Sequence, residues 1–403
     1  MATAVLIHAL LFFNSQPELV PDSHLYLAQA QSLATTGSAR NALGEPDTVV
    51  TPGYPVFLAA FLAGGLGLTG AVAVQRALWI LVVAATTWLS FRLTGRAAIA
   101  VVAGMIVAAD IVGIQAAGAI LSDTLATLFV GGAAWCAYLS TRERGSAMAS
   151  VAGVLAGAAA LVRPVATLLG AIFALAIMIS GMKASRRRAA VTLLTASVLV
   201  IAPWTVRNYA QTGVMTFSSL GSINLLRYRA AGTLAIRDAG GLDANLPRRQ
   251  AELEAAACRI AEQRFGLPCV AISITRRATV YGGVALPIIF GDPVATAQQA
   301  ARAFVMIMFG GGANVIARTT GISESAARFA ALIYTVPLAL LALIGVPHWW
   351  KHDRAAATVM LLTVSYLILV PLGAEAYSRF RVPFLPFYAM LAAGGFAAIC
   401  KRV

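Results

Sequence analysis

Two isolated acids stand out in an otherwise apolar chain: Asp22, in Pro21-Asp22-Ser23-His24-Leu25-Tyr26, and Asp123, in Leu121-Ser122-Asp123-Thr124-Leu125. Carboxylates at membrane depth are costly to desolvate and mark functional positions. Two of them near one face of the bilayer suggest a reaction centre at the membrane surface. A carboxylate there could take a proton from an incoming hydroxyl. Arginines supply the complementary charge: Arg76 after Gln75, Arg163 before Pro164, Arg207 in the run 203–209, and Arg379 and Arg381 in the run 378–383. Guanidinium groups hold phosphate oxygens in pairs. Tyr26 falls on the helical face of Asp22 and Gln29, and Tyr54 lies in the rigid turn Thr51-Pro52-Gly53-Tyr54-Pro55.

Each of these residues also has a plainer reading. Asp22 would serve as a helix N-cap, and Ser122 or Asp123 would cap the helix that follows. Gly37 should end the helix begun near Asp22. Asp110 and Gln115 would line the same cavity or reach out to water. The arginines singly, and the aromatic residues Trp204, Tyr209 and Tyr377, suit interfacial anchoring. The chemistry therefore rests on convergence, which depends on the elements that carry these residues.

Those elements are membrane helices. Of 403 residues, 59% are hydrophobic and 11% charged, against about 25% charged in soluble domains. Mean hydropathy is +0.80. The expected fold class is an all-α polytopic membrane protein. Apolar runs near the ~20 residues needed to span a bilayer fall at about 68–91, 97–117, 119–140, 147–162, 165–182, 189–206, 328–347, 355–372 and 383–400. With a partial helix at Met1–Phe13, about ten spans are expected. Arg92 and Arg96, Arg142 and Arg144, Lys183 with Arg186, Arg187 and Arg188, Lys351 and Arg354, and Lys401 and Arg402 fall on alternate connections. Those connections are expected to be cytoplasmic. The opposite face then holds residues 14–67, the Asp110–Asp123 and Arg163-Pro164 turns, residues 207–327 and residues 373–382.

Three regions result: an N-terminal transmembrane module (1–206) with a first external loop (14–67), an external or interfacial segment (207–327), and C-terminal transmembrane helices (328–403). Residues 247–265 read as an amphipathic helix ending near Gly266 and Pro268. Residues 279–316 are apolar but broken by Gly and Pro, as interfacial helices or a hidden pair of spans. A Cys258–Cys269 disulfide is left open; Cys136 and Cys400 read as packing residues. The net charge of +14 favours anionic lipids or phosphate-bearing ligands. Without a basic, aromatic-studded soluble module, nucleic acid is not an expected partner.

In this order, residues 21–26, 51–55, 121–125, 161–164, 203–209 and 378–383 resemble the integral-membrane glycosyltransferases of the GT-C fold. The likeness is to the dolichyl-phosphate-mannose–protein mannosyltransferase-like group, which includes lipid A aminoarabinose transferases. It covers residues 1 to about 225 and about 328–403. It implies transfer of a sugar, usually with inversion, from a polyprenyl-phosphate donor to a lipid, glycan or protein acceptor outside the cytoplasm, as in a bacterial inner membrane. By this resemblance Asp22 matches the acid of the first external loop and Asp123 a second acid. Arg163 and the arginines near the last helix match phosphate or acceptor contacts. Many relatives carry two adjacent acids where this chain has Asp22-Ser23. That departure leaves a divalent metal open but without support, and the sequence names no certain cofactor.

The expected mechanism makes Asp22 the base and lets Asp123 orient the acceptor or support the site. Arg76, Arg163, Arg207, Arg379 and Arg381 form the pool that would stabilise the leaving phosphate, with Tyr26 and Tyr54 as further substrate contacts. A transporter or lipid flippase is the alternative, but would place its polar groups near the bilayer midplane on broken helices. An inactive or structural relative would instead use the external segment as a binding surface.

Overall fold

The computed structural model describes residues 16–142, 145–182 and 184–400. The expected partial helix at Met1–Phe13 lies outside the described residues, as do Arg144, Lys183, Lys401 and Arg402. Among the described residues the chain is helical throughout, with no strand beyond two isolated bridges. It is an integral membrane protein of packed helices.

Each apolar run of the sequence coincides with a helix or a bent pair of helices. Gly67–Thr94, Gly145–Val162, Arg186–Thr212, Glu324–His352 and the segment Ser378–Cys400 are each long and apolar enough to cross a membrane. Ala97–Ala109 with Ile111–Gly118, bent by 55°, and Ile274–Gly291 with Pro293–Phe309, bent by 97°, raise that number from 5 to 7. Shorter apolar helices occupy Gly53–Ala63, Pro164–Ser180 and Arg354–Leu369. The run at 119–140 becomes the helix Asp123–Ser140, because residues 119–122 are taken up by pairing with the chain ahead of the first described helix.

The exterior of the bundle is what lipid contact requires. Large apolar side chains stand exposed along whole helix faces, including Trp88, Val198, Leu199, Phe329, Ile333 and Leu343. So large an apolar surface would be intolerable in water. Inside, helices approach through glycine. A Cβ on Gly345 would overlap the Leu391 carbonyl, and one on Gly395 the Leu341 carbonyl. Such small-residue contacts are how membrane helices pack without a hydrophobic drive between them. They let the last span, Ser378–Cys400, run through the middle of the bundle, 78% of its apolar window buried.

The segment between the two transmembrane parts has its own small core. Leu226, Ala230, Leu253, Ala257, Ala261 and Tyr281 pack together there. Leu253, Ala257 and Ala261 recur at intervals of four, the amphipathic face expected for this helix. The helix runs Gly241–Phe265 rather than from 247. Pro247 is accommodated inside the element, in its second turn. Cys258 and Cys269 form a disulfide with Cα atoms 5.4 Å apart, tying the end of that helix to the next turn. Glu254 draws three groups together: Arg227 and Arg277 at 3.1 Å each, and the Tyr281 hydroxyl at 2.6 Å.

Candidate active site

The helix Pro21–Thr36 is the first described one, and its start is docked on the 119–122 segment. Glu18 donates its N–H to the Gly118 carbonyl and accepts from the Ile120 N–H, at 3.2 and 3.0 Å. Ser23 Oγ donates to the Ile120 carbonyl at 2.9 Å, and the Tyr26 hydroxyl lies 3.1 Å from Ser122 Oγ. These contacts bring Asp22 beside the start of Asp123–Ser140, although a hundred residues separate them. The capping reading of Asp22 does not hold. Val20 is the N-cap, Pro21 fills the first turn, and Ser23 bonds back to the Val20 N–H. Gly37 ends the helix in the left-handed conformation with φ 69°, as expected.

The third element is the 3₁₀ turn Ser378–Phe384 that leads into the last helix. It carries Arg379 between the two acids. The Arg379 guanidinium donates to Asp22 Oδ2 at 2.5 Å, and its Nε lies 3.3 Å from Asp123 Oδ2. Arg163 pairs with the other oxygen of Asp123 and lies over the Phe380 ring, 5.6 Å from its centroid. Asp123 is fully buried and neutralised by two guanidinium groups, whereas the Asp22 side chain is 43% exposed. The site is thus sealed at Asp123 and open at Asp22. A ligand arriving from the surface meets Asp22 first.

The remaining singled-out residues sit elsewhere. Arg381, two positions beyond Arg379, pairs with fully buried Asp110 at 2.6 Å and donates to the Met308 carbonyl. Asp110 also caps Ile111–Gly118 through the Gly113 N–H. It therefore neither lines an open cavity nor reaches water. Arg207 is held by the carbonyls of Ala39 and Asp47 and stacks over Trp204; it fastens the 37–52 loop. Asp47 anchors the same loop through the Val49 and Val50 N–H groups, and burial raises its carboxyl above the usual range. Tyr54 is buried, donating to Gln75 Oε1 at 2.6 Å; Gln75 in turn holds the Ala119 carbonyl. Tyr54 meets Tyr26 edge to face at 4.9 Å. Arg76 is buried against Gly118, where a Cβ would come within 2.9 Å of its guanidinium.

Sequence reasoning placed Tyr377 among interfacial anchors and gave Glu375 and Tyr228 no role. All three belong to this neighbourhood. Residues Leu225–Ala230 form a π-helical turn, a wide turn that recurs at functional sites. It presents Tyr228, whose phenol is raised by burial and then by the charges of Glu375 and Asp22. Tyr377 is raised by burial, while Arg379 beside it pulls the other way; the Arg379 guanidinium lies over its ring at 5.3 Å. The signal available in sequence was the run Arg227-Tyr228-Arg229, polar and aromatic in an apolar stretch.

Among the described residues no group of three or more His, Cys, Asp or Glu side chains is placed to hold a metal ion. The donors here also fit one poorly. The Arg379 guanidinium occupies the space between the Asp22 and Asp123 carboxylates that a divalent cation would need.

No family model matches the sequence, and no curated protein matches it. Solved structures do match. The archaeal oligosaccharyltransferase AglB from Archaeoglobus fulgidus, in complex with an inhibitory peptide and a dolichol-phosphate, aligns with TM-score 0.55 at 13% identity, covering 100% of this chain and 50% of that one. The apo form of the Archaeoglobus fulgidus oligosaccharyltransferase aligns with TM-score 0.55 at 12% identity over the same shares. This chain therefore spans about half the length of those enzymes. The fold is that of the GT-C membrane glycosyltransferases. ArnT from Cupriavidus metallidurans bound to undecaprenyl phosphate gives 0.45 at 15% identity, over 99% of this chain and 78% of that one, a score below the range of a shared fold.

Proposed function

We propose that this protein transfers a sugar from a polyprenyl-phosphate donor to a hydroxyl-bearing acceptor, with inversion, at the external face of a bacterial inner membrane. The observation that carries the reading is one guanidinium, Arg379, joining the exposed Asp22 to the buried Asp123. A surface-open carboxylate backed by buried cations is what attack at an anomeric carbon beside a leaving phosphate requires. Asp22 receives the acceptor proton. Arg379 and Arg163 draw off charge as the phosphate departs, and Asp123 keeps both arginines in place. The dolichol-phosphate in the AglB complex supports a lipid-phosphate donor. Two features support the external face: positive charge alternates between connections, and the Cys258–Cys269 disulfide suits an oxidising compartment.

Asp22→Asn tests the assignment. The variant should insert and melt like the wild type, yet lose about 10²–10⁴-fold in transfer rate, the usual effect of removing a general base. Transfer at the wild-type rate would reject Asp22 as the base.

A further inference from the structure

Glu375 is a carboxyl the reaction above does not use. It lies on the loop between Arg354–Leu369 and the 3₁₀ turn, four residues before Arg379. Its carboxylate folds back over Gly373, where a Cβ would collide with it. Its Oε2 is buried without a hydrogen-bond partner. A buried oxygen left without a partner costs stability, so the position calls for an explanation. The charged and titratable groups facing it are Arg229 and Tyr228 on the π-helical turn. Asp22 faces the same Tyr228 phenol from the first described helix. Arg229 is fastened to the Val370 carbonyl, so its positive charge only partly offsets the burial of Glu375.

Two carboxyls thus flank Tyr228 in opposite surroundings. Asp22 is half-exposed and bonded to the Arg379 guanidinium, open to an incoming hydroxyl. Glu375 is enclosed and unpaired, a setting that keeps its proton on. Paired titratable groups in divergent environments define an acid and a base. The geometry points to Glu375 as the proton donor of the transfer reaction: it enters as the carboxylic acid and protonates the leaving phosphate oxygen. This assignment rests on the glycosyl-transfer reading above. The step balances. The acceptor oxygen bonds to the anomeric carbon and gives its proton to Asp22. The bond from that carbon to the phosphate oxygen breaks, its electron pair leaves with the phosphate, and the proton of Glu375 moves onto that oxygen. Burial holds the Glu375 carboxyl up at about 7, against 4.5 for an ordinary glutamate, with its own N–H and Arg229 acting in the other direction. The acid form is therefore populated near neutral pH.

The test is the pH profile of transfer from a labelled polyprenyl-phosphate sugar, measured on full-length wild type, Glu375→Gln, Glu375→Asp and Asp22→Asn in detergent. Wild-type rate should fall as pH rises through about 7. Glu375→Gln should lose roughly 10²-fold or more in kcat and lose that alkaline fall. Glu375→Asp should retain the fall, and Asp22→Asn should be slow but still show it. A Glu375→Gln enzyme with the wild-type rate and alkaline limb would overturn the donor role while leaving the transferase reading intact. Wild type with no transfer at any pH would instead overturn the reading on which the inference rests. A Glu375→Gln protein that loses activity but melts well below wild type is checked by Glu375→Asp. If that variant is stable and has no alkaline fall, the donor role is rejected.

Discussion

Arg381→Met should cost about 3–5 kcal/mol of stability, because it strands the buried Asp110 carboxylate without its cation. The guanidinium lies 2.6 Å from Asp110 Oδ2, with only 1% and 0% of the two side chains exposed. In the variant Asp110 keeps the Gly113 N–H at 2.9 Å and the nearby Tyr334 hydroxyl. A charge-assisted bond of this kind contributes about 1.5–3 kcal/mol, which places the loss toward the lower end of the range. Asp110→Asn should cost a similar amount, since Asn can still cap the helix but Arg381 then sits buried and unpaired. The double variant faces a neutral amide with a side chain of comparable length. It should recover much of the loss, giving a coupling of about 2 kcal/mol or more, whereas independent sites add within about 0.3–0.5 kcal/mol. Denaturation in mild detergent, followed by tryptophan fluorescence, reads all four corners of the cycle. Single losses below about 1 kcal/mol that simply add would refute the reasoning. The pair also bears on function. Arg379 sits two residues from Arg381 in the same turn, so Arg381→Met should loosen the Arg379 bridge and slow transfer as well.

Gly345→Leu should destabilise by about 1–3 kcal/mol or more, because the added side chain meets the Leu391 backbone where two helices touch; a melt unchanged from wild type would contradict that packing. The folded protein holds the Glu375 proton up to about 7, against 4.5 in an ordinary setting, so stability should fall as pH rises between those values and level off above. The full difference is about 3 kcal/mol, and Glu375→Gln should flatten the pH dependence of the melting temperature across that window. Cys258→Ser with Cys269→Ser should remove roughly 2–4 kcal/mol, and reductant should lower the melting temperature of wild type but not of this variant.

Much of the architecture was legible because lipid imposes a coarse code. Runs of about 20 apolar residues and alternating arginines suffice to lay out the helices, and each described run became a helix or a bent pair. The convergence of Asp22 and Asp123 was foreshadowed by their isolation in apolar surroundings. What sequence could not settle was partner choice. Arg379 and Arg381 are two residues apart, and only the 3₁₀ geometry of residues 378–384 sends one to Asp22 and the other to Asp110. Asp22 looked like a cap because Asp commonly caps helices. Pro21 in the first turn moved the cap back to Val20 and freed the carboxylate. Glu375 and Tyr228 were given no chemical role because nothing in the sequence joins the run around Tyr228 to the loop that carries Glu375. Their proximity depends on a π-helical turn and a loop folding toward each other across 147 residues of chain.

The central claim is that lipid-linked phosphate is bound and released beside Arg379. A cryo-EM structure of the protein with a polyprenyl phosphate tests it most directly. The account predicts phosphate oxygens within hydrogen-bond reach of the Arg379 guanidinium, about 2.7–3.2 Å, on the side facing Asp22 and Tyr228. A phosphate lodged instead at the opposite end of the bundle, beside Arg142 and Arg354, would contradict it.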